Sequence, residues 1–160
     1  MEESLNQWNP TQNHISIEEY FGYGMGERKV LSLLSSKKFI GSAKDFKGVY
    51  VFLKKGSPFY TGISKHVIRR ISQHVKGNSH FTSSLCYRLG AELHLKTFGK
   101  KHSGGRAGLD FDVYPKQAKE ELLKCDVAML EVSEDLELVL FEIFVAMKLG
   151  TLNYNEFKTH

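Results

Sequence analysis

The apolar positions change period along the chain, and the changes predict the elements. Gly48-Val49-Tyr50-Val51-Phe52-Leu53 is a β-branched and aromatic run, which predicts a strand. Lys54-Lys55-Gly56-Ser57-Pro58 reads as a turn and Phe59-Tyr60-Thr61-Gly62-Ile63 as a second strand, so the two form a hairpin. Ser64 caps a helix from Lys65 to about Val75, with Val67, Ile68 and Ile71 on a helical period; Gly77-Asn78-Ser79 ends it. Thr82 to Leu95 predicts another helix, with Leu85, Leu89 and Leu93 on one face. Residues 96–115 are polar and Gly-rich, and read as a mobile, substrate-touching loop that carries Lys100, Lys101, His102 and Arg106. A helix over Lys116–Lys124, a third strand over Asp126–Val132 and a helix over Glu134–Leu149, stopped by Gly150, complete the pattern. Upstream, residues 1–14 read as a loose polar arm. Ser16-Ile17-Glu18-Glu19 has capping-box spacing and predicts a short helix. Gly22, Gly24 and Gly26 read as a flexible loop, since no strand precedes their GxG spacing, and Glu27 to Ser35 predicts an amphipathic helix.

Composition narrows the class. With 160 residues, 41% hydrophobic and 25% charged, the chain predicts one globular domain with a real core. No apolar run approaches the ~18 residues of a membrane span, and Met1-Glu2-Glu3 does not open a signal peptide. Cys86 and Cys125 form no CxxC pair and read as buried free thiols, so a cytoplasmic, reducing location is expected. The net charge of +4 hides a strong asymmetry. Residues 51–120 carry thirteen basic and four acidic side chains, whereas residues 121–160 carry three basic and eight acidic. A basic block of that kind, folded onto one face, attracts a polyanion, and nucleic acid is the natural partner.

One carboxylate conflicts with its surroundings. The last helix is apolar from Leu138 to Met147 except at Glu142, which shares a face with Leu138, Val139, Val145, Ala146 and Leu149. Such a carboxylate is costly unless it is paired, hydrogen-bonded or metal-bound. Periodicity alone leaves two readings: an edge residue that reaches water or a local Arg, and a metal ligand opposite the hairpin.

The hairpin also carries a resemblance. Gly48-Val49-Tyr50, nine intervening residues and then Tyr60-Thr61-Gly62 resemble the signature of the GIY-YIG endonuclease family, with Val49 and Thr61 in place of isoleucines. Arg70 follows Gly62 by eight positions and His74 follows Arg70 by four, similar to the family's Gly-x7-Arg-x3-His pattern. Arg69 stands beside Arg70, so a one-residue shift would exchange their roles. His80 matches a further family histidine at irregular spacing. Glu142 occupies the place of the family's metal-binding Glu, and Leu149–Phe157 is similar to its C-terminal Asn-containing stretch, the Asn being Asn153 or Asn155. The resemblance implies a small α/β fold, a three-stranded antiparallel-paired sheet flanked by helices. The nuclease-like domain would span 48–160 with a basic insertion at about 77–120, after an N-terminal arm and helical extension over 1–47.

That resemblance implies a metal-dependent endonuclease that hydrolyses phosphodiester bonds in DNA. Tyr50 would be the general base, its pKa lowered by a nearby cation (His74, Arg70 or the metal). Tyr60 would lie across the hairpin on the same face, and Arg70 and His74 would face one phosphate. Glu142 would hold a single Mg²⁺ or Mn²⁺. Arg69, His80, Lys100, Lys101 and Arg106 are the expected nucleic-acid contacts, and Gly48, Gly62, Asn153 and Asn155 the supporting residues. A zinc site is disfavoured, because no HxxxH or CxxC occurs. The expected partner is DNA, with RNA not excluded and no membrane; a dimer is compatible with the reading. Two alternatives stand: a non-cleaving nucleic-acid-binding module of the same fold, and an interaction domain for an acidic protein.

Overall fold

In the computed structural model, residues 2–155 are described. The elements run α1 (Glu2–Trp8), β1 (Ile15–Ser16), α2 (Ile17–Phe21), α3 (Glu27–Ser36), β2 (Gly48–Lys54), β3 (Ser57–Ser64), α4 (Val67–Lys76), α5 (Ser84–Phe98), α6 (Tyr114–Leu123), β4 (Asp126–Glu131) and α7 (Asp135–Leu149). The three expected strands pair antiparallel, and the two-residue β1 extends them to a four-stranded sheet of order β1-β4-β2-β3. The fold is α/β with helices on both faces. No described helix is long and apolar enough to cross a membrane.

Covering both faces explains why β2 reads as an unbroken apolar run rather than an alternation. Tyr50 and Phe52 point into a core built with Ile17, Phe21, Leu34, Ile68, Ile71 and Leu122. Val49, Val51 and Leu53 point the other way, against Trp8 and against Leu138, Phe141 and Val145 of α7. The hairpin turn is tighter than the five residues expected. Lys55 and Gly56 both have positive φ, 51° and 77°, which suits a two-residue turn matched to strand twist. Pro58 therefore lies inside β3, tolerated because β3 is an edge strand.

Residues far from the hairpin complete this core. Ile17, Phe21, Val30 and Leu34 are fully buried in the same cluster as Tyr50. The expected loose arm contains α1, whose Trp8 packs on Phe141 with ring centroids 6.3 Å apart. Ser16 caps α2 as its spacing predicts, accepting from the Glu19 amide at 3.3 Å. The cap of α4 differs from expectation. Ser64 accepts from the His66 amide, while the Asp45 carboxylate takes the Ile68 and Arg69 amides at 2.9 and 3.0 Å. Within the insertion, α5 and α6 cross closely at Gly90, where a Cβ would sit 2.7 Å from the Pro115 nitrogen. Cys86 and Cys125 are free and buried, and burial pushes both thiols up to about 11.

Candidate active site

The site begins with two side chains from different elements. Tyr50 leaves the central strand toward α4, and His74 leaves the last turn of α4 toward the sheet; Tyr50 Oη and His74 Nε2 are 2.8 Å apart. Both are shut away from water, at 1% and 0% exposure. Tyr60 joins them because β3 pairs Tyr60 with Phe52 and so points it to the Tyr50 face. Its ring centroid is 6.1 Å from that of Tyr50 and 5.8 Å from that of His74.

The two motif glycines make room for this packing. A Cβ at Gly62 would lie 2.6 Å from the Tyr50 phenol carbon and oxygen, and a Cβ at Gly48 would lie 2.1 Å from the Leu130 carbonyl oxygen. Any side chain at position 62 would displace the Tyr50 phenol from His74.

Burial sets the protonation states, and it corrects one expectation. The Tyr50 phenol is held well above its ordinary 10.0, first by burial and then by Tyr60, and the opposing pull of Arg70 is weaker. Tyr60 is also raised by burial. His74 is no cation: burial first, then the charges of Arg70 and Arg88, hold it well below 6.5. Near neutral pH the pair is a phenol and a neutral imidazole. The arrangement lets Tyr50 donate to Nε2 with the imidazole proton on Nδ1, a buried atom that has no hydrogen-bond partner.

Arg70 is fixed beside this pair. Its guanidinium donates to Gln73 Oε1 and the Thr82 carbonyl at 3.3 Å each, and to Ser84 Oγ at 2.9 Å. The ambiguity with Arg69 is resolved by direction, since Arg69 lies exposed and reaches Glu27 at 3.5 Å. Glu142, on α7, is half-buried, and burial raises its carboxyl from 4.5 to about 6. Its charge also acts on Tyr60. Asn155 turns inward, donating from Nδ2 to the Thr61 carbonyl at 2.7 Å and leaving a buried Oδ1 without a partner, whereas Asn153 is exposed. Glu156 and Phe157, the end of the C-terminal stretch, lie outside the described residues.

Motif spacing missed Arg88. It stands one helical turn after Ser84 on α5, donates to the Tyr154 carbonyl, and its charge acts on both Tyr60 and His74. The i,i+4 spacing from Ser84 is the short-range signal for it, and it acquires meaning because Ser84 accepts from Arg70.

The basic insertion folds back along α5 rather than hanging as a loose loop. Tyr87 Oη and His102 Nε2 are 3.2 Å apart. Arg106 is wedged between Phe81 and Tyr87, its guanidinium 5.8 and 5.2 Å from the ring centroids, and donates to the His80 carbonyl at 3.4 Å. His80 packs on Tyr87 and Phe111 and does not join the Tyr50–Tyr60–His74 cluster. Phe81 is 77% exposed, in the same turn whose Thr82 holds Arg70. Lys100 and Lys101 are exposed, and the Lys100 carbonyl meets His94 Nδ1 at 3.2 Å, about 15 Å along α5 from Ser84.

The resemblance implies a divalent ion at Glu142. Glu142 is a partly desolvated carboxylate whose pKa is raised by burial, which suits a hard cation. No group of three His, Cys, Asp or Glu that could hold a metal exists among the described residues. Glu142 therefore fits an ion whose other ligands are water and substrate phosphate oxygens.

The family model described as GIY-YIG catalytic domain matches residues 46–104. That interval includes Tyr50, Tyr60, Arg70, His74 and Arg88 and ends before Glu142. No curated protein and no solved structure matches the chain.

Proposed function

We propose that this chain, whose residues 46–104 are a GIY-YIG catalytic domain and give it a nuclease-type function on nucleic acid, is a divalent-metal-dependent endonuclease that hydrolyses phosphodiester bonds in DNA. The observation that carries this reading is the buried Tyr50–His74 contact at 2.8 Å, with Arg70 and Arg88 beside it.

Tyr50 is the general base, but not as a preformed phenolate. Its phenol gives its proton to His74 Nε2 as it takes one from the attacking water, so full charge never accumulates on the tyrosine. The cost of charging His74 comes from burial and from the two arginines. A phosphate bound between Arg70 and Arg88 offsets their positive field, so substrate itself makes His74 a better proton acceptor. Arg70, held by three acceptors, is preorganised for that anion. Tyr60 shields the phenol from bulk water, and Asn155 holds the edge strand through the Thr61 carbonyl. Glu142 would hold Mg²⁺ or Mn²⁺, which supplies Lewis-acid stabilisation of the leaving oxygen. The wedged Arg106, Lys100 and Lys101 carry the strand away from the site along α5.

One observation favours a second reading, a non-cleaving binding module of the same fold: Tyr50 and His74 are both closed to water. Supercoiled plasmid separates the two. Incubation with Mg²⁺ or Mn²⁺ should yield nicked or linear DNA and EDTA should stop it. Retarded but uncut plasmid with either metal would leave the binding module.

A further inference from the structure

Phe81 stands out in water from a turn whose backbone is tied down on both sides. The His80 carbonyl before it accepts from Arg106 at 3.4 Å, and the Thr82 carbonyl after it accepts from Arg70 at 3.3 Å. The Ser79 and Thr82 hydroxyls close the turn at 2.9 Å, and the buried Ser83 donates to the His74 carbonyl at 2.6 Å. The ring is therefore held at a set place relative to Arg70 and His74, yet it stays 77% exposed. A single exposed apolar side chain is ordinary. What sets Phe81 apart is its company: the Arg106 guanidinium lies between its ring and that of Tyr87, so Tyr87, Arg106 and Phe81 form a short stack with Phe81 as the outermost layer.

We propose that Phe81 is a stacking platform for one unpaired base of the substrate strand, the base beside the phosphate that Arg70 holds; this deepens the nuclease reading and rests on it for that phosphate. A nucleic-acid strand alternates anionic groups with flat rings, and the surface Arg70, Phe81, Arg106 answers with cation, ring, cation. It lies in the stretch 51–120 that carries thirteen basic and four acidic side chains, so a polyanion is the occupant its charge selects. The ring also states the form of the strand. Paired bases in a duplex show a protein only their edges, in the grooves. A ring offered face-on takes a base that has left the stack, and Arg106 behind Phe81 adds a cation to the pile. The substrate is therefore DNA with an unpaired nucleotide at the cleaved position, as in a single strand, a flap or a bulge. Every base has a π-face, so the platform selects strand structure and not sequence.

Fluorescence anisotropy on the whole chain in EDTA, at one salt concentration, tests the platform without cleavage. The three probes are labelled oligothymidine, the same strand paired with oligodeoxyadenosine, and a strand of abasic deoxyribose phosphates of equal length. Phe81→Ala should weaken oligothymidine binding about 5–150-fold, the equivalent of the ~1–3 kcal/mol that stacking one base supplies. Phe81→Leu, which keeps an apolar side chain but no ring, should lose as much, and Phe81→Trp should bind like the parent. On the abasic strand and on the duplex, parent and Phe81→Ala should bind alike. Circular dichroism and melting temperature should be unchanged in all three variants, since the position is exposed. Equal oligothymidine affinity in parent and Phe81→Ala, or a Phe81→Trp that binds no better than Phe81→Leu, overturns the platform and leaves the nuclease reading standing. The same loss on the abasic strand also overturns it, because the phosphate path has then been disturbed. The same loss on the duplex makes Phe81 a wedge between paired bases and overturns the unpaired substrate. A parent that binds none of the three probes overturns the platform and the nuclease reading together.

Discussion

Replacing Glu142 by Gln keeps the shape of the side chain and removes its charge. If this carboxylate is held in an unfavourable setting until an ion binds, the metal-free fold should gain stability. Its rise from 4.5 to about 6 corresponds to about 2 kcal/mol against the ionised form. The side chain keeps partial access to water, so the expected effect is about 1 kcal/mol. The sign follows from the direction: an acid whose folded pKa is raised costs stability when ionised. The cost is complete above pH 6 and vanishes below pH 4.5. In EDTA above pH 6, Glu142→Gln should therefore melt about 2–4 °C higher than the parent, and the two should converge as pH falls through 4.5. Mg²⁺ or Mn²⁺ should raise the melting temperature of the parent by mass action and leave that of the variant unchanged. Plasmid cleavage should be lost. The reverse pattern refutes the reasoning. A variant that melts as though it had lost ~3–5 kcal/mol, the cost of breaking a buried ion pair, with equal metal response in both proteins, would make Glu142 a structural residue.

Tyr50→Phe should reduce plasmid nicking by ~10²–10⁴ with DNA retardation retained; cleavage within about threefold of the parent, far short of that range, would remove Tyr50 as the base. His74 titrates in the opposite sense to Glu142. Its folded pKa lies well below 6.5, so the unfolded chain takes the proton first and stability falls as pH drops below 6.5, by up to about 1.4 kcal/mol per pH unit. His74→Gln should remove that limb from chemical-denaturation curves measured across the range, and a limb that persists would assign it to another group. Lys100→Ala with Lys101→Ala should flatten the dependence of log K on log salt, whose slope is about −0.9 per phosphate contact. An unchanged slope in fluorescence-anisotropy titrations would move the DNA path off the insertion.

The local frame and the residues gathered at the candidate site are legible along the chain. The β-branched run Gly48–Leu53 and the helical period of Val67, Ile68 and Ile71 are near-neighbour signals, so these strands and helices are readable within a few residues, whereas the turn between the strands is shorter than its letters suggest. Tyr50, Tyr60, Arg70 and His74 were legible because their spacing is itself short-range: a hairpin register and one helical turn. The remaining features depend on residues that meet only after folding. Asp45, rather than Ser64, caps α4 because a loop twenty residues upstream folds over it. Arg70 is distinguished from Arg69, and Asn155 from Asn153, by which way each faces, which no pattern of letters states. Arg88 joins the site only because α5 lies beside Tyr60 and His74. The largest difference is electrostatic. From the sequence a cation was expected to lower the Tyr50 pKa, whereas the folded chain raises it, because helices close over both sheet faces and burial outweighs the pull of Arg70. Charge can be counted along a chain, but its effect depends on how much water remains beside it, and packing alone sets that.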